Sequence, residues 1–340
     1  MNFRSFGRLG WKVSEVSFGA WALGGDMWGA QDDKESLMAL HRAVDLGVNL
    51  IDTAQGYGKG HSEEIIGTFL KERREEIHVT TKIPAKPGSP WPLPLTARSE
   101  DFFPAAYIIS ECEKSLRRLR QDFVDVYQFH TWTSSFNLQD DWYEAVQRLR
   151  DEGKVRAIGA SVPDTTPECV IGALSLGKID CVQLIYNIFE QSPRWNLFPV
   201  AQQLKTSIIV RVPFDEGALT GKYNENTEFH PGDFRRHYFR GNNLKAVVAR
   251  VKELRSFKEK RHPDMSLAEY ALRFCLSHPA VHTVIPGIRN RRQAESNVAA
   301  GDGAWLPADE LEELQQFAWR KDFWTEEVQE THSKQNDYEG

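Results

Sequence analysis

Three polar residues stand where apolar runs end. Asp52 closes Val48-Asn49-Leu50-Ile51, Lys82 closes Ile77-His78-Val79-Thr80-Thr81, and His130 follows Val124-Asp125-Val126-Tyr127-Gln128-Phe129. A fourth residue, Tyr57, lies just beyond Asp52 in a loop containing Gly56, Gly58 and Gly60. An ammonium at the end of an apolar run is costly unless a carboxylate meets it, and Asp52 is the obvious partner for Lys82. A lysine beside a phenol favours the phenolate, so this set predicts a Tyr57 pKa lowered from its ordinary ~10 toward neutrality. The chemistry these types perform together is proton donation to oxygen. Tyr57 is then the general acid, and His130 hydrogen-bonds a substrate oxygen and helps hold a carbonyl beside the phenol. Each residue alone has a plainer reading: an Asp that caps a turn, a surface Tyr, a core His. Only convergence on one volume turns them into a site.

The elements that must bring them together alternate along the chain. Val16 to Gly19 reads as a strand, and Asp32 with Glu35 as a capping box for a helix that Gly47 stops. The strand ending at Asp52 follows, and Ser62 is placed to cap the next helix, with Glu63 and Glu64 in its first turn. Strands then come at 77–82, 124–129, 156–161, 181–185, 207–212 and 281–285, with helices between them. Asn290 and Gln293 box-cap a last helix. Eight strands alternating with helices, with no linker, predict one α/β domain, a (β/α)8 TIM barrel; a doubly wound open sheet is the alternative. A short hairpin over residues 3–13 precedes the barrel and a helical extension opening at Pro307 follows it, so residues 1–325 form the barrel unit and 326–340 a polar C-terminal tail. In a barrel, neighbouring strands lie ~4.8 Å apart, so Asp52, Lys82 and His130, at the C-terminal ends of strands two, three and four, share the mouth with Tyr57.

A strand, a glycine loop and a helix also describe a dinucleotide fingerprint, which this segment does not match. The third glycine comes one place early and the acidic residue precedes the loop, and no Gly-Lys-Ser/Thr closes a P-loop. Of 340 residues, 42 are basic and 48 acidic and 41% are hydrophobic, so no global field favours nucleic acid or an anionic membrane. Cys112, Cys169, Cys181 and Cys275 are scattered and lack metal-ligand spacing, which predicts reduced core thiols, no metal site and a cytoplasmic protein. Small molecules are the expected partners, and the oligomeric state is open. Trp28, Trp91 and Trp132 are expected to crowd the mouth in an apolar or sugar-stacking pocket, with the proline-rich insertion 84–104 as a lid. Trp319, Phe323 and Trp324 either pack the last helix or fold over that mouth.

Eight segments carry a resemblance to a known family. They are Asp52-Thr53-Ala54-x-x-Tyr57-Gly58, Ser62-Glu63-Glu64-x-Ile66-Gly67, Thr81-Lys82, Asp125-Val126-Tyr127-Gln128-Phe129-His130, the run Gly153 to Ser161, the run Gln183 to Asn187, the run Gly217 to Lys222, and Ile285-Pro286-Gly287. In this order they resemble the aldo-keto reductase superfamily, in the bacterial branch that includes relatives of potassium-channel β subunits. The resemblance implies hydride transfer between NADPH and an aldehyde or ketone, or the reverse oxidation of an alcohol or sugar. Asp52, Tyr57, Lys82 and His130 match its catalytic tetrad. For the cofactor it implies Gly19 and Trp21 beneath the nicotinamide, Asp52 beside it, and Ser161 and Gln183 at the carboxamide. The strap 211–222, with Arg211, Pro213, Phe214, Gly217, Leu219 and Lys222, lies over the pyrophosphate. Beyond Gly287, Arg289 with Arg291 and Arg292 would meet a 2′-phosphate, and Gln293 and Asn297 the adenosine. Val162 stands where the family has asparagine, and Ser296 where it has an acid. Arg211 replaces a ring that usually stacks on the nicotinamide; it stacks there or turns to a phosphate or a carboxylate such as Asp215 or Glu216. A cofactor-binding regulatory subunit of the channel type is the alternative function.

Overall fold

The structure, a computed structural model, describes residues 1–326; the tail expected from residue 326 lies, past Glu326, outside the described residues. Strands β1 (Phe3–Ser5) and β2 (Lys12–Ser14) form the expected antiparallel hairpin, with Arg4 opposite Val13. Eight parallel strands follow in chain order: β3 (Phe18–Gly19), β4 (Leu50–Asp52), β5 (His78–Ile83), β6 (Val124–Phe129), β7 (Val155–Ser161), β8 (Cys181–Ile185), β9 (Ser207–Arg211) and β10 (Thr283–Val284). Each pairs with its predecessor in sequence, which is the topology helix crossovers impose. The sheet closes on itself where Ser17 N–H donates to Val284 O at 2.8 Å and Gly19 N–H to Pro286 O at 3.1 Å. A Cβ on Gly19 would lie 2.5 Å from Ile285 O, so the seam shuts only because that position has no side chain. The fold is a (β/α)8 TIM barrel, as the alternation predicts.

Local chemistry sets the helices. Asp32 accepts from Glu35 N–H to start Asp33–Asp45, whose Ala39, Leu40, Ala43 and Val44 are buried on one face. Ser266 and Asn290 likewise cap Leu267–Ser277 and Arg291–Ala299 through Glu269 N–H and Gln293 N–H. Ser62 does not cap. Its helix, His61–Lys71, starts one residue earlier after Gly60, and the Ser62 hydroxyl donates to Ala20 O at 3.0 Å while meeting Thr53 Oγ1 at 2.9 Å. Those contacts tie the segment after β4 to the one after β3. Glu63, in the same first turn, is buried against Arg118 Nε at 2.6 Å and Thr81 Oγ1 at 2.6 Å. Among the described residues no helix is long and apolar enough to cross a membrane.

The floor of the barrel holds Leu50, Val126, Ala157, Cys181 and Ile209, with Phe6 and Val13 brought in from the hairpin. All four cysteines are free and buried. Trp132 is buried as well, packed edge-on against Phe129, Phe136 and Trp142 with its indole N–H on Asn137 Oδ1 at 3.1 Å. It belongs to the core and not, as expected, to the mouth: the residues after β6 fold back over the 134–138 turn, and apolar burial of a large ring decides where it goes.

Candidate active site

The C-terminal ends of β4, β5 and β6 bring Asp52, Lys82 and His130 to one rim. The loop after β4 carries Tyr57 above them, because Gly58, in the left-handed region at φ 60, lies against Gly24; a Cβ there would meet Gly24 O at 2.3 Å. Lys82 Nζ donates to Asp52 Oδ2 at 2.7 Å, Thr53 O at 2.7 Å and Tyr57 Oη at 3.2 Å. An ammonium has three N–H groups, and all three are now spent. Tyr57 Oη therefore accepts from Lys82, and its own proton is left for a group in the mouth. Asp52 Oδ1 accepts from Thr80 Oγ1 at 2.6 Å, Gln183 Nε2 at 2.7 Å and Gln128 Nε2 at 3.3 Å, so the almost fully buried side chain is met by donors on every side.

His130 sits edge-on to Tyr57, ring centroids 5.8 Å apart, and Trp91 from the 84–104 insertion stands edge-on to His130 at 6.4 Å. Burial, then Lys82 and Arg211, push the His130 pKa down from 6.5 to about 3, so the imidazole is neutral. Tyr57 departs from expectation. Its pKa is raised, because burial penalises the phenolate by more than Lys82 favours it and Asp52 adds to the rise. The sequence names the lysine but not the depth of the phenol. A raised value keeps Tyr57 protonated at neutral pH, the form a proton donor requires.

The residues expected around a cofactor separate into two groups. Ser161, at the end of β7, pairs in register with Gln183. Gln183 is buried and its Nε2 donates to Asp52 Oδ1 at 2.7 Å, so it supports the carboxylate. Gly19 lies in the barrel seam, and Trp21 stacks on Tyr57 at 5.9 Å and on Phe234 at 5.1 Å. In the strap, Pro213 and Leu219 are buried and Phe214 packs on the core, while Lys222 is exposed. Val212, Asp215, Glu216 and Gly217 all have positive φ, which for the β-branched Val212 is a costly conformation. Arg211 turns to a carboxylate, but to neither of those expected: Nη2 meets Asp164 Oδ1 at 2.6 Å and Val162 O at 3.2 Å. Asp215 pairs instead with Lys321 Nζ at 2.8 Å. Glu216 is buried, and desolvation with Asp215 and Asp164 beside it raises its pKa to about 8. The Arg211 Nε–H is buried without an acceptor.

On the β10 side, Arg289 donates through Nε to Gln31 Oε1 at 2.7 Å, through Nη1 to Trp28 O at 3.2 Å and through Nη2 to Ala30 O at 2.6 Å. Gln293 Oε1 accepts from Arg289 N–H and Asn297 Nδ2 donates to Gly287 O at 3.5 Å, so both shape the turn after β10. Arg291 and Arg292 are exposed at the start of that helix. Of the terminal aromatics, Trp319 and Phe323 are buried and Trp324 stacks on Phe234 at 5.4 Å, which carries a ladder of rings from Trp324 through Phe234 and Trp21 to Tyr57. Thr80, Gln128 and Asp164 are partners that sequence reasoning missed. Thr80 and Gln128 point inward two places before Lys82 and His130, and strand alternation is the one signal that could have found them.

Residues 15–318 match the model of the aldo/keto reductase family. The aldo-keto reductase YhdN of Bacillus subtilis is 32% identical over 300 residues, covering 87% of each chain. A probable voltage-gated potassium channel β subunit of Arabidopsis thaliana is 30% identical over 321 residues, covering 89% of this chain and 92% of its own. The structure of a glycerol dehydrogenase from Gluconobacter oxydans superposes with a TM-score of 0.76 at 31% identity, covering 93% of this chain and 94% of that one.

Proposed function

The chain belongs to the aldo-keto reductase family of oxidoreductases, and from that premise we propose that it reduces aldehydes or ketones, or oxidises the corresponding alcohols, with NADP(H) as cofactor and Tyr57 as the general acid and base. The observation that carries the reading is the triple donation of Lys82, which leaves the Tyr57 hydroxyl proton unspent at the barrel mouth.

The mouth fits a dinucleotide on its own chemistry: unpaired buried donors on Trp28 and Arg211, and cationic Lys222, Arg289, Arg291 and Arg292 for phosphate groups. A bound nicotinamide would supply or take up the hydride. The side chains do the rest. Neutral His130 and protonated Tyr57 hold a carbonyl oxygen between them, and Tyr57 gives that oxygen its proton as negative charge develops there. The resulting phenolate is stabilised by Lys82, whose own charge Asp52 balances. Run in reverse, the same phenolate accepts the proton of an alcohol. Trp21, Trp28 and Phe234 exclude water from one side of this volume, and Trp91 stands on the other. The three arginines beyond Gly287 support NADPH over NADH.

Calorimetric titration with NADPH and NADH, followed by turnover of a panel of aldehydes, ketones and sugars, tests the reading. Binding with measurable turnover supports it. Tight binding with no turnover across the panel would favour a regulatory subunit of the channel type.

A further inference from the structure

Glu63 is fully buried outside the catalytic rim, and its two oxygens join three elements. Oε1 accepts from Thr81 Oγ1 at 2.6 Å and Oε2 from Arg118 Nε at 2.6 Å. Thr81 lies on β5 directly before Lys82. Side chains alternate along a strand, so Thr81 faces the helices while Lys82 faces the mouth. Glu63 itself sits in the first turn of His61–Lys71, the helix that opens where the Tyr57 loop ends. One carboxylate therefore ties the segment that carries the lysine to the segment that carries the phenol.

Arg118, on the helix Ala105–Leu119, is the third element. Its side chain packs against Gly60, the last residue of the Tyr57 loop; a Cβ there would lie 2.6 Å from Nε, and the backbone is left-handed at φ 101. The loop exit is thus held between Arg118 and Glu63. Arg118 Nη2 is buried without an acceptor, so among the described residues its guanidinium depends on Glu63 alone. Tyr57 Oη lies 3.2 Å from Lys82 Nζ, longer than the 2.7 Å that Lys82 keeps to Asp52 and to Thr53 O. It is the contact with least to spare when the two segments part.

We propose that Glu63 is a positioning residue: gripped by Arg118, it holds the end of the Tyr57 loop to β5 and so keeps the Tyr57 hydroxyl within reach of Lys82. The role rests on Tyr57 and Lys82 acting as read above. Burial raises the Tyr57 pKa and Lys82 opposes that rise, so a wider gap between them moves the phenol's titration to higher pH. A displaced phenol also slows proton transfer without touching the affinity for cofactor.

The test uses two variants that cut the joint at different places. Glu63→Gln keeps the shape and an acceptor for Thr81 but gives Arg118 no anion, whereas Thr81→Val keeps the ion pair and removes the bond to β5. Each should lower kcat for carbonyl reduction roughly ten- to hundredfold with the NADPH dissociation constant unchanged. The alkaline limb of alcohol oxidation, which needs the phenolate, should move to higher pH. Crystal structures of both should show the Tyr57–Lys82 hydrogen bond broken. If Glu63→Gln folds poorly, adding Arg118→Met removes the stranded charge and should restore stability while kcat stays low. Variants that lose stability but keep kcat, the pH limb and the Tyr57–Lys82 contact would overturn the proposal and leave Glu63 a part of the fold alone. A wild-type protein that turns over no carbonyl would instead overturn the reading of Tyr57 as the acid, and the variant structures would still decide whether Glu63 sets its contact with Lys82.

Discussion

The two ends of the barrel come from one alternation of strand and helix but are finished in opposite ways. At the floor, the hairpin inserts Phe6, Trp11 stacks on His78 at 5.1 Å, and Ser207 Oγ donates to Phe6 O at 3.0 Å. Arg8 holds Asp180 through Nε at 3.2 Å and Nη2 at 2.8 Å, and Asp125 gathers His78, Arg156 and Val79 N–H within 3.1 Å. Left-handed residues there, Arg120 and Lys205, merely end helices. At the mouth, by contrast, a β-branched residue is left-handed at Val212, the Arg235 guanidinium lies over the Trp28 ring, and a glutamic acid at position 216 is buried beside two other carboxylates. Opposite charges meet at both ends, as in Arg8–Asp180 at the floor and Lys82–Asp52 at the rim, but among the described residues only the mouth adds backbone strain and crowded carboxylates.

If that division is right, substitutions at the two ends should fail differently. The largest effect belongs to Lys82→Met, which breaks a buried ion pair and removes the donor to Tyr57. It should cost ~3–5 kcal/mol in denaturant unfolding and abolish turnover. Retention of activity would detach the lysine from the chemistry. Phe6→Ala, at the floor, should cost a comparable ~3–5 kcal/mol while leaving turnover per folded molecule unchanged. A fall in kcat for the folded fraction would mean that the ends are coupled.

Smaller effects sharpen the mouth. Arg289→Ala should weaken NADPH more than NADH by roughly 1.5–3 kcal/mol, the worth of hydrogen bonds to a charged group. Equal losses would assign this arginine only to holding loop 28–31, whose carbonyls it already meets. The last effect is on pH and concerns stability, not binding. His130, lowered to about 3, and His278 and His282, lowered to about 4, are neutral when folded but protonate near 6.5 once unfolded. The unfolded chain then binds more protons, so stability is full above 6.5 and declines as pH falls through the window toward 3 to 4. Thermal melts at stepped pH check the sign, and a melting temperature that rises on acidification would refute it. The rate of carbonyl reduction should show no inflection from His130 near 6.5, since that ring carries no proton to lose there.

Much of this was legible before any coordinates. Runs such as Val124–Phe129 and Cys181–Ile185 give strands to the residue because β-branched and apolar side chains leave a buried strand little choice. Asp32 and Asn290 give helix starts because capping is a local interaction. Lys82 announced its need for Asp52 by its position alone. What stayed hidden depends on distant partners. Ser62 looks like a cap and bonds instead to the segment after β3, and Gln183 crosses the barrel from β8 to reach Asp52. Arg235 lies in a polar stretch with no pattern to mark it. The direction of the Tyr57 pKa turned on burial, which no neighbouring residue type reveals.

The central claim is that Tyr57 gives the proton. Single-turnover reduction of an aldehyde by Tyr57→Phe, with cofactor saturation verified by titration, tests it directly. The variant keeps the ring that stacks on Trp21 and faces Lys82 and loses only the hydroxyl, so it should keep its fold and cofactor affinity while the chemical step slows by at least ~100-fold. A rate within a few-fold of wild type would show that another group is the acid.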